Sequence, residues 1–283
     1  MLWDDDARYR FSLSKKGAGL KIRFLSQKAV LAAFCLIIAP GPNWAASAAE
    51  VTVMISGAFT PVYDKVKDDF EKQTGHKLTY VSGPSMGATP QAIPNRLARG
   101  ETADVVIMAR GPLDSLAQKN LVIAGSEINL ALSSIAMAVK QGAPKPDISS
   151  PAAVKKALLN AKSVGYSDSS SGVYISTKMF QNLGIDKDMA AKSFKVEATP
   201  VGESVAAGKY EIGFQQLSEL LPVRGIDIVG LLPKELQLVT TFSAGLSANS
   251  KAPDAGKALI AYLSSPAAHA AIIASGLNPP PKD

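Results

Sequence analysis

The chain has 283 residues and a formal net charge of +6 at pH 7, and this length suffices for one large domain or two lobes. The first 49 residues hold seven Lys/Arg and three Asp/Glu, so 23 basic and 21 acidic residues remain for the rest. No Lys/Arg cluster lies beyond this segment, which argues against nucleic acid as a partner. The single cysteine, Cys35, also lies in it, so we expect no disulfide or thiol chemistry in the rest of the chain.

The N-terminal segment has the layout of a secretory signal peptide. Basic residues between Arg8 and Lys28 precede an apolar run over residues 29–39, which is too short to span a bilayer. Pro40-Gly41-Pro42 interrupts this run, and Ala46-Ser47-Ala48 fits the small-residue pattern that precedes a cleavage site. We therefore expect residues 1–48 to be a signal peptide, cleaved near Ala48, and the product to be periplasmic.

Residues 51–87 predict a strand, a helix and a second strand, each strand being followed by a turn of small residues. The two turns are Ser56-Gly57-Ala58 and Ser82-Gly83-Pro84-Ser85-Met86-Gly87. They would lie side by side at the carboxyl ends of neighbouring parallel strands, where open α/β sheets usually bind ligands. Backbone N–H groups at a helix start, together with Ser hydroxyls, favour an anion. The alternative is that both are ordinary connecting loops.

The rest of the chain repeats this alternation and predicts a two-lobed α/β fold, each lobe a mostly parallel sheet flanked by helices. Extended runs near Leu130 and Val239 would connect the lobes as two hinge crossings. The expected organisation after the signal peptide is residues 49–131 for the first part of lobe 1, 132–240 for lobe 2, and 241–283 for the hinge return and the C-terminal helices of lobe 1.

The sequence can be compared with two kinds of catalytic site, a serine nucleophile and a metal centre. Gly83-Pro84-Ser85-Met86-Gly87 matches the G-x-S-x-G nucleophile elbow, so an exported serine hydrolase using Ser85 is one alternative. That fold needs a late histidine on a loop, whereas His269 lies in a predicted helix. Two distant histidines and no cysteine beyond the signal peptide argue against a metal site. The Rossmann and Walker motifs are absent, so we expect neither a metal nor a cofactor.

Polar groups instead gather where predicted strands end. Arg110 follows the third strand and offers a guanidinium fork that suits a carboxylate. Ser170-Ser171-Gly172 precedes a helix, and Gln215 and Gln216 follow a strand. None of these is an obvious base or nucleophile, so the pattern favours binding over catalysis, and we expect the protein not to be an enzyme.

The chain resembles the periplasmic solute-binding proteins of ABC importers, in the branch related to molybdate-binding proteins. The segments that carry the resemblance are Phe70–Gly75, Arg96–Val106, Ser171–Tyr174, Gly213–Ser218 and Tyr262–Ala267. The resemblance implies a type II periplasmic-binding fold, a monomer, hinge closure on a small anion, and delivery of that anion to a membrane permease. A sensory ligand-binding module would use the same cleft.

The family holds its oxyanion with Ser hydroxyls, backbone N–H groups and a Tyr hydroxyl from both lobes. The resemblance places Ser85 at one family serine, and Ser171 and Val201 at backbone donors. Ala58 takes the other serine position, and Gln216 takes the tyrosine position. These two departures leave the ligand open between a molybdate-like oxyanion and a small carboxylate.

The expected ligand contacts are Ser56, Gly57, Ala58, Ser85, Met86, Arg110, Ser170, Ser171, Gly172, Val201, Gln215 and Gln216. We predict that Arg110 contacts a carboxylate of the ligand.

Overall fold

The structure is a computed structural model that describes residues 48–197 and 199–281. The predicted signal peptide, with Cys35, lies outside the described residues except for Ala48. The ten strands in the described part are β1 (Glu50–Ile55), β2 (Lys77–Ser82), β3 (Val105–Ala109), β4 (Ile128–Ser133), β5 (Ile135–Lys140), β6 (Val164–Ser167), β7 (Ser193–Val196), β8 (Ile212–Gln216), β9 (Ile226–Leu231) and β10 (Thr240–Leu246).

The helices connect these strands or pack on the two sheets. They are α1 (Thr60–Thr74), α2 (Ile93–Ala98), α3 (Arg110–Gln118), α4 (Pro151–Asn160), α5 (Ser170–Tyr174), α6 (Phe180–Asn182), α7 (Asp186–Met189), α8 (Val201–Ala206), α9 (Leu217–Leu220), α10 (Pro253–Ser264) and α11 (Pro266–Ala274). A 3₁₀ turn, Gly57–Phe59, precedes α1, and a π-helical turn, Ile175–Met179, joins α5 to α6.

Five strands form the first sheet, in the order β2-β1-β3-β10-β4, and we call this sheet with its helices lobe 1. β1, β2 and β3 are parallel, whereas β10 runs antiparallel to both of its neighbours. The side chains of Val62, Val66 and Phe70 form the buried stripe of α1, because residues four apart share one face of a helix. Gly75 ends α1 with a left-handed φ of 75°, which glycine adopts at little cost.

The second sheet has the order β7-β6-β8-β5-β9 and, with its helices, forms lobe 2. β6, β7 and β8 are parallel, and β5 pairs antiparallel with β8 and β9. The predicted two-lobed α/β fold is therefore confirmed. Each sheet is more mixed than predicted, since two of its four strand pairings are antiparallel.

The two lobes are joined at two places. A single residue, Ser134, separates β4 of lobe 1 from β5 of lobe 2, and residues 232–239 lead from β9 back to β10. Gln216 lies at this junction, where its Oε1 accepts a hydrogen bond from the Ser133 hydroxyl (2.7 Å) and its Nε2 donates one to Thr240 Oγ1 (3.2 Å). The buried amide of Gln216 thus links the end of β8 by hydrogen bonds to β4 and β10, which are the connecting strands of lobe 1.

The hydrophobic core is divided between the lobes. Lobe 1 has separate clusters on the two sides of its sheet, one with Phe59 and Phe70 and the other with Leu97 and Met108, whereas Phe214 lies in the main cluster of lobe 2. In the described part of the chain, no single helix is long and apolar enough to cross a membrane. α10 and α11 reach that length and hydropathy only together, and they are bent by 65°.

Candidate functional site

A cavity of about 190 Å³ lies between the two lobes at the carboxyl ends of the parallel strands. Residues of both lobes line it: Ser56, Gly57, Ser82, Gly83, Pro84, Gln91, Ser167, Asp168, Ser169, Thr199, Pro200, Gln215 and Glu219. Most of them offer hydroxyl, amide or backbone groups. Among these lining residues, two are acidic and none is Lys or Arg.

Lobe 1 contributes the two small-residue turns that the sequence predicted. Ile55 and Ser82 are register partners in the parallel pair β1 and β2, so the turns that follow these strands are neighbours. Gly83 is required because a Cβ there would lie 2.1 Å from the carbonyl oxygen of Gln91. The close approach brings Gln91 to the same wall of the cavity.

Lobe 2 contributes a turn after β6 and the end of β8. The Ser167 hydroxyl lies 2.9 Å from the Ser171 hydroxyl and accepts a hydrogen bond from the Gly172 backbone N–H (3.2 Å). A Cβ on Gly172 would lie 1.6 Å from the Ser167 carbonyl oxygen, so this turn requires glycine. Gln215 is held by the Val201 backbone N–H, which donates to its Oε1 at 2.8 Å.

The lobes touch each other across this cleft. The Ser85 backbone N–H of lobe 1 donates to Ser169 Oγ of lobe 2 at 3.2 Å. A Cβ built on Gly57 would lie 2.5 Å from Glu219 Oε1, so the glycine backbone and the carboxyl are in direct contact. The structure therefore represents a closed arrangement of the lobes.

Glu219 has the most perturbed carboxyl group of the cleft. Its pKa is raised from the ordinary 4.5 to about 7, chiefly by burial, and the negative charge of Asp168 acts in the same direction. Hydrogen bonds from the Gln215 side chain and the Gln216 backbone favour the ionised form and oppose that rise. Near neutral pH this carboxyl can therefore either accept or donate a proton.

The twelve predicted ligand contacts separate into distinct groups. Ser56, Gly57 and Gln215 line the cavity. Ser171, Gly172 and Val201 lie just behind it, and their hydrogen bonds position Ser167 and Gln215. Ala58, Met86 and Ser170 are not among the lining residues. The hydroxyl of Ser170 is buried without a hydrogen-bond partner.

Ser85 does not have the geometry of a nucleophile. Its side chain is fully buried, and its Oγ accepts a hydrogen bond from the Ala109 backbone N–H at 3.1 Å. Of the two histidines, His76 accepts a hydrogen bond from the backbone of Ala49, before β1, and His269 lies within α11. The structure therefore does not support the serine hydrolase alternative.

The guanidinium of Arg110 is hydrogen-bonded to residues outside the cavity. Arg110 opens α3 rather than lying in a loop, and its Nε donates to Asp114 Oδ1 at 2.6 Å. Its Nη1 donates to Asn129 Oδ1 at 3.1 Å, and Arg110 is not among the cavity-lining residues. The predicted contact between this guanidinium and a ligand carboxylate has no support in this arrangement, because its fork is already used within lobe 1.

Sequence reasoning missed the two acidic residues of the cleft. Asp168 lies in the turn after β6, directly before the serines that the sequence pattern points to. Glu219 follows Gln215 and Gln216 in the sequence and carries no motif of its own. Gln215 lies in β8 and Glu219 in α9, so the fold, and not a helical spacing, brings the two side chains to the cavity.

A larger cavity of about 660 Å³ lies in lobe 1 between the segment 123–128 and α10. Its lining is mainly apolar, and its one charged residue, Lys257, pairs with Asp254 at 3.3 Å. The other polar side chains of its lining are Ser126 and Ser264. Across the described residues, no cluster of three or more His, Cys, Asp or Glu is placed to hold a metal ion.

Comparisons with known proteins identify relatives along most of the chain. The aconitate isomerase of Pseudomonas sp. is 49% identical over 252 residues, which cover 89% of this chain and 96% of that protein. The molybdate-binding protein ModA of Azotobacter vinelandii is 26% identical over 242 residues, covering 82% and 91%. The solved structure of the A. vinelandii periplasmic molybdate-binding protein superposes with a TM-score of 0.62 at 19% identity, covering 82% and 100%, and shows the shared fold.

These relatives correct one expectation and confirm another. The prediction that the chain is not an enzyme is wrong, because a relative that matches nearly its whole length is named as an isomerase. The predicted resemblance to periplasmic solute-binding proteins is confirmed, since the model of the bacterial extracellular solute-binding protein family matches residues 51–278. The chain therefore belongs to the bacterial extracellular solute-binding protein family, as a divergent relative of its molybdate-binding members.

Proposed function

We propose that this protein is an isomerase that acts on aconitate in the cleft between its lobes. The observation that carries the proposal is the 49% identity to an aconitate isomerase over 96% of that relative's length. The cleft supports it with hydroxyl and amide donors from both lobes and a carboxyl group that titrates near neutral pH. The product of catalysis would leave when the lobes part.

The chemistry of aconitate explains why an isomerase needs such a carboxyl. Aconitate is a three-carbon chain with one double bond, one CH₂ group and a carboxylate on each carbon. Moving a proton from the CH₂ carbon to the vinyl CH carbon shifts the double bond by one position. Because the two ends of the molecule carry the same substituents, the product is again aconitate, and its new double bond can be cis or trans.

The cleft offers dipoles rather than cations to the three carboxylates. The 3₁₀ turn that begins at Gly57 leads into α1, and Pro200 directly precedes α8, so two helix starts face the cavity. Backbone N–H groups at helix starts favour negative charge. Preorganised donors also stabilise the charge that spreads onto carboxylate oxygens when a neighbouring carbon loses a proton.

The direct test is to incubate the purified protein with trans-aconitate and to follow the appearance of cis-aconitate by proton NMR. Conversion that continues to an equilibrium mixture, from either isomer, is the expected result. A Gly172→Val variant serves as a control, because the turn after β6 has no space for a side chain at this position. No conversion by a folded wild-type protein would refute the proposed activity.

A second candidate is solute capture for import. It is favoured by the relationship to ModA, named as a molybdate-binding protein. In this role the protein would be exported to the periplasm after cleavage near Ala48, close on a small anion, and deliver it to an ABC transporter permease. A melting-temperature increase with molybdate or tungstate, but none with aconitate, would favour this role, because ligand binding stabilises the native state. N-terminal sequencing of periplasmic protein tests the cleavage.

A further inference from the structure

Glu219 is placed to meet a ligand held between the lobes. It belongs to α9, which follows β8 directly, and its side chain lines the cavity on the lobe 2 side. Its Oε1 contacts the backbone of Gly57 in the opposite lobe. A molecule enclosed by the two lobes therefore has this carboxyl beside it, and lobe 1 presents an uncharged backbone at the point of contact.

The surroundings of Glu219 set its protonation equilibrium. Asp168 faces it from the turn after β6. Glu203 and Arg224 lie in a second, outer cavity that Glu219 also borders, and the shift of the Glu219 pKa comes from burial and Asp168 rather than from them. Burial, assisted by the charge of Asp168, raises its pKa to about 7. A general acid–base group works best when its pKa is near the working pH, since both protonation states are then available within one turnover.

We propose that Glu219 is the catalytic residue that transfers the proton during isomerisation, which rests on the proposed function of the cleft. The ionised carboxylate accepts a proton from the CH₂ carbon of aconitate, so that a C–H bond breaks and an O–H bond forms. The electron pair of the broken bond forms the new double bond, and the electrons of the old one move to the vinyl carbon. That carbon takes the proton back from the carboxylic acid, so atoms, electrons and the state of Glu219 are restored.

One carboxyl suffices for both transfers because the two carbon atoms are separated by a single carbon. Asp168 is the only other carboxylate among the described residues that line the cavity. The negative charge of Asp168 makes ionisation of Glu219 less favourable. Glu219 therefore transfers the proton, and Asp168 acts through its charge. The two residues can be distinguished by replacing each one separately.

The experiment measures kcat and KM for trans-aconitate with the wild type, Glu219→Gln, Asp168→Asn and the control Glu203→Gln, which changes an exposed carboxyl of the outer cavity. We expect Glu219→Gln to lower kcat at least 100-fold with KM within about threefold, since general acid–base catalysis contributes about 10²–10⁴-fold. Glu203→Gln should leave both constants unchanged. The wild-type kcat/KM should fall below about pH 7, and any residual activity of Glu219→Gln should lack this inflection.

Each outcome has a defined meaning. An active wild type with an equally active Glu219→Gln, or loss of turnover only in Asp168→Asn, overturns the assignment of Glu219 and leaves the isomerase function standing. An inactive but folded wild type overturns both. If Glu219→Gln does not fold, Glu219→Asp replaces it. The side chain of Asp is one methylene shorter, so the carboxyl lies farther from the substrate and kcat should fall at least tenfold. An unchanged kcat would overturn the proposal.

Discussion

The backbone N–H of Ser85 and the hydroxyl of Ser169 form a hydrogen bond of 3.2 Å that joins lobe 1 to lobe 2 at the edge of the cleft. Neither group belongs to the connecting strands, so this bond exists only while the lobes are together. It stabilises the closed arrangement directly, and hinge closure of this kind depends on such differential contacts.

Replacing Ser169 by Ala should therefore weaken substrate binding without unfolding the protein. A neutral hydrogen bond contributes about 0.5–1.5 kcal/mol, which corresponds to roughly a two- to tenfold rise in KM for aconitate. Steady-state kinetics would measure it. Ser115→Ala, which removes an exposed hydroxyl bonded only within α3, is the matched control. Identical KM values for both variants would contradict the role assigned to Ser169.

A methyl group at Gly57 should displace the Glu219 carboxyl. The Cβ of Ala at this position would lie 2.5 Å from Glu219 Oε1, so the carboxyl must move or the lobes must stay apart. We expect Gly57→Ala to lower kcat at least tenfold, because small displacements of a catalytic group are costly. Gly111→Ala, where nothing lies within 4 Å of the new Cβ, should keep the wild-type rate. A fully active Gly57→Ala would show that the contact is not needed.

The stability of the protein should depend on pH through Glu219. Its pKa is about 7 in the folded protein against an ordinary 4.5. Between these values the folded protein holds a proton that the unfolded chain has released. The free energy of unfolding should therefore fall as pH rises from 4.5 to 7, by on the order of 3 kcal/mol, and level off above pH 7.

Glu219→Gln should abolish that slope, because the amide does not titrate in this range. Urea unfolding of both proteins at pH 5, 6, 7 and 8 would measure the difference. Parallel pH curves for the wild type and the variant would mean that another group causes the dependence.

Asp104 should be the most sensitive acidic residue for stability. Its buried carboxylate accepts hydrogen bonds from the backbone N–H groups of Thr52, Lys251 and Ala252 and from the Ser250 hydroxyl, all within 2.9 Å. Burial alone would raise its pKa, but these hydrogen bonds outweigh burial and hold the pKa below the usual range. Its stabilisation is therefore present above pH 4 and is lost as pH falls through that lowered pKa.

Asp104→Asn should destabilise the protein by about 3 kcal/mol at pH 7, because the charge is lost and an amide N–H faces other donors. The melting temperature should drop by roughly 6–12 °C for a protein of this size. Asp254→Asn is the matched control, since that carboxyl is almost wholly exposed. Equal melting temperatures for the two variants would contradict the importance of the buried hydrogen bonds.

Arg110→Ala should leave KM for aconitate within about twofold of the wild-type value. The guanidinium pairs with Asp114 and Asn129 and does not line the cavity. The loss of stability should be below about 1 kcal/mol, because the pair with Asp114 is partly exposed. A tenfold rise in KM would restore Arg110 as a ligand contact.

The sequence predicted those parts of the fold that depend on local patterns. The strand from Val51, the helix after Pro61 and the turn before Gly87 follow from apolar periodicity and small residues, and their neighbouring turns do meet at the cleft. β9 has no clear strand pattern in the sequence, because it lies at the edge of its sheet and contains Asp227 and Gly230. Its pairing with β5 is a contact between distant residues, which local periodicity does not encode.

The site was predicted less completely for a related reason. Hydroxyl-rich turns are visible in a sequence, so Ser56 and Gln215 were found. The function of a carboxyl, in contrast, depends on what surrounds it. Glu219 looks like any helical acidic residue until Gly57 and Asp168 are placed beside it, and Arg110 looks available until its two partners are known.

The position of β10 between β3 and β4 sets an order for folding as the chain emerges. β3 and β4 have no direct pairing with each other, so the sheet of lobe 1 is incomplete until residues 240–246 have arrived. The strands of lobe 2, by contrast, all lie within residues 135–231. When the chain emerges from its N-terminus, lobe 2 can therefore complete its sheet before lobe 1 does. The early strands β1 to β4 form their complete sheet only after β10 has emerged.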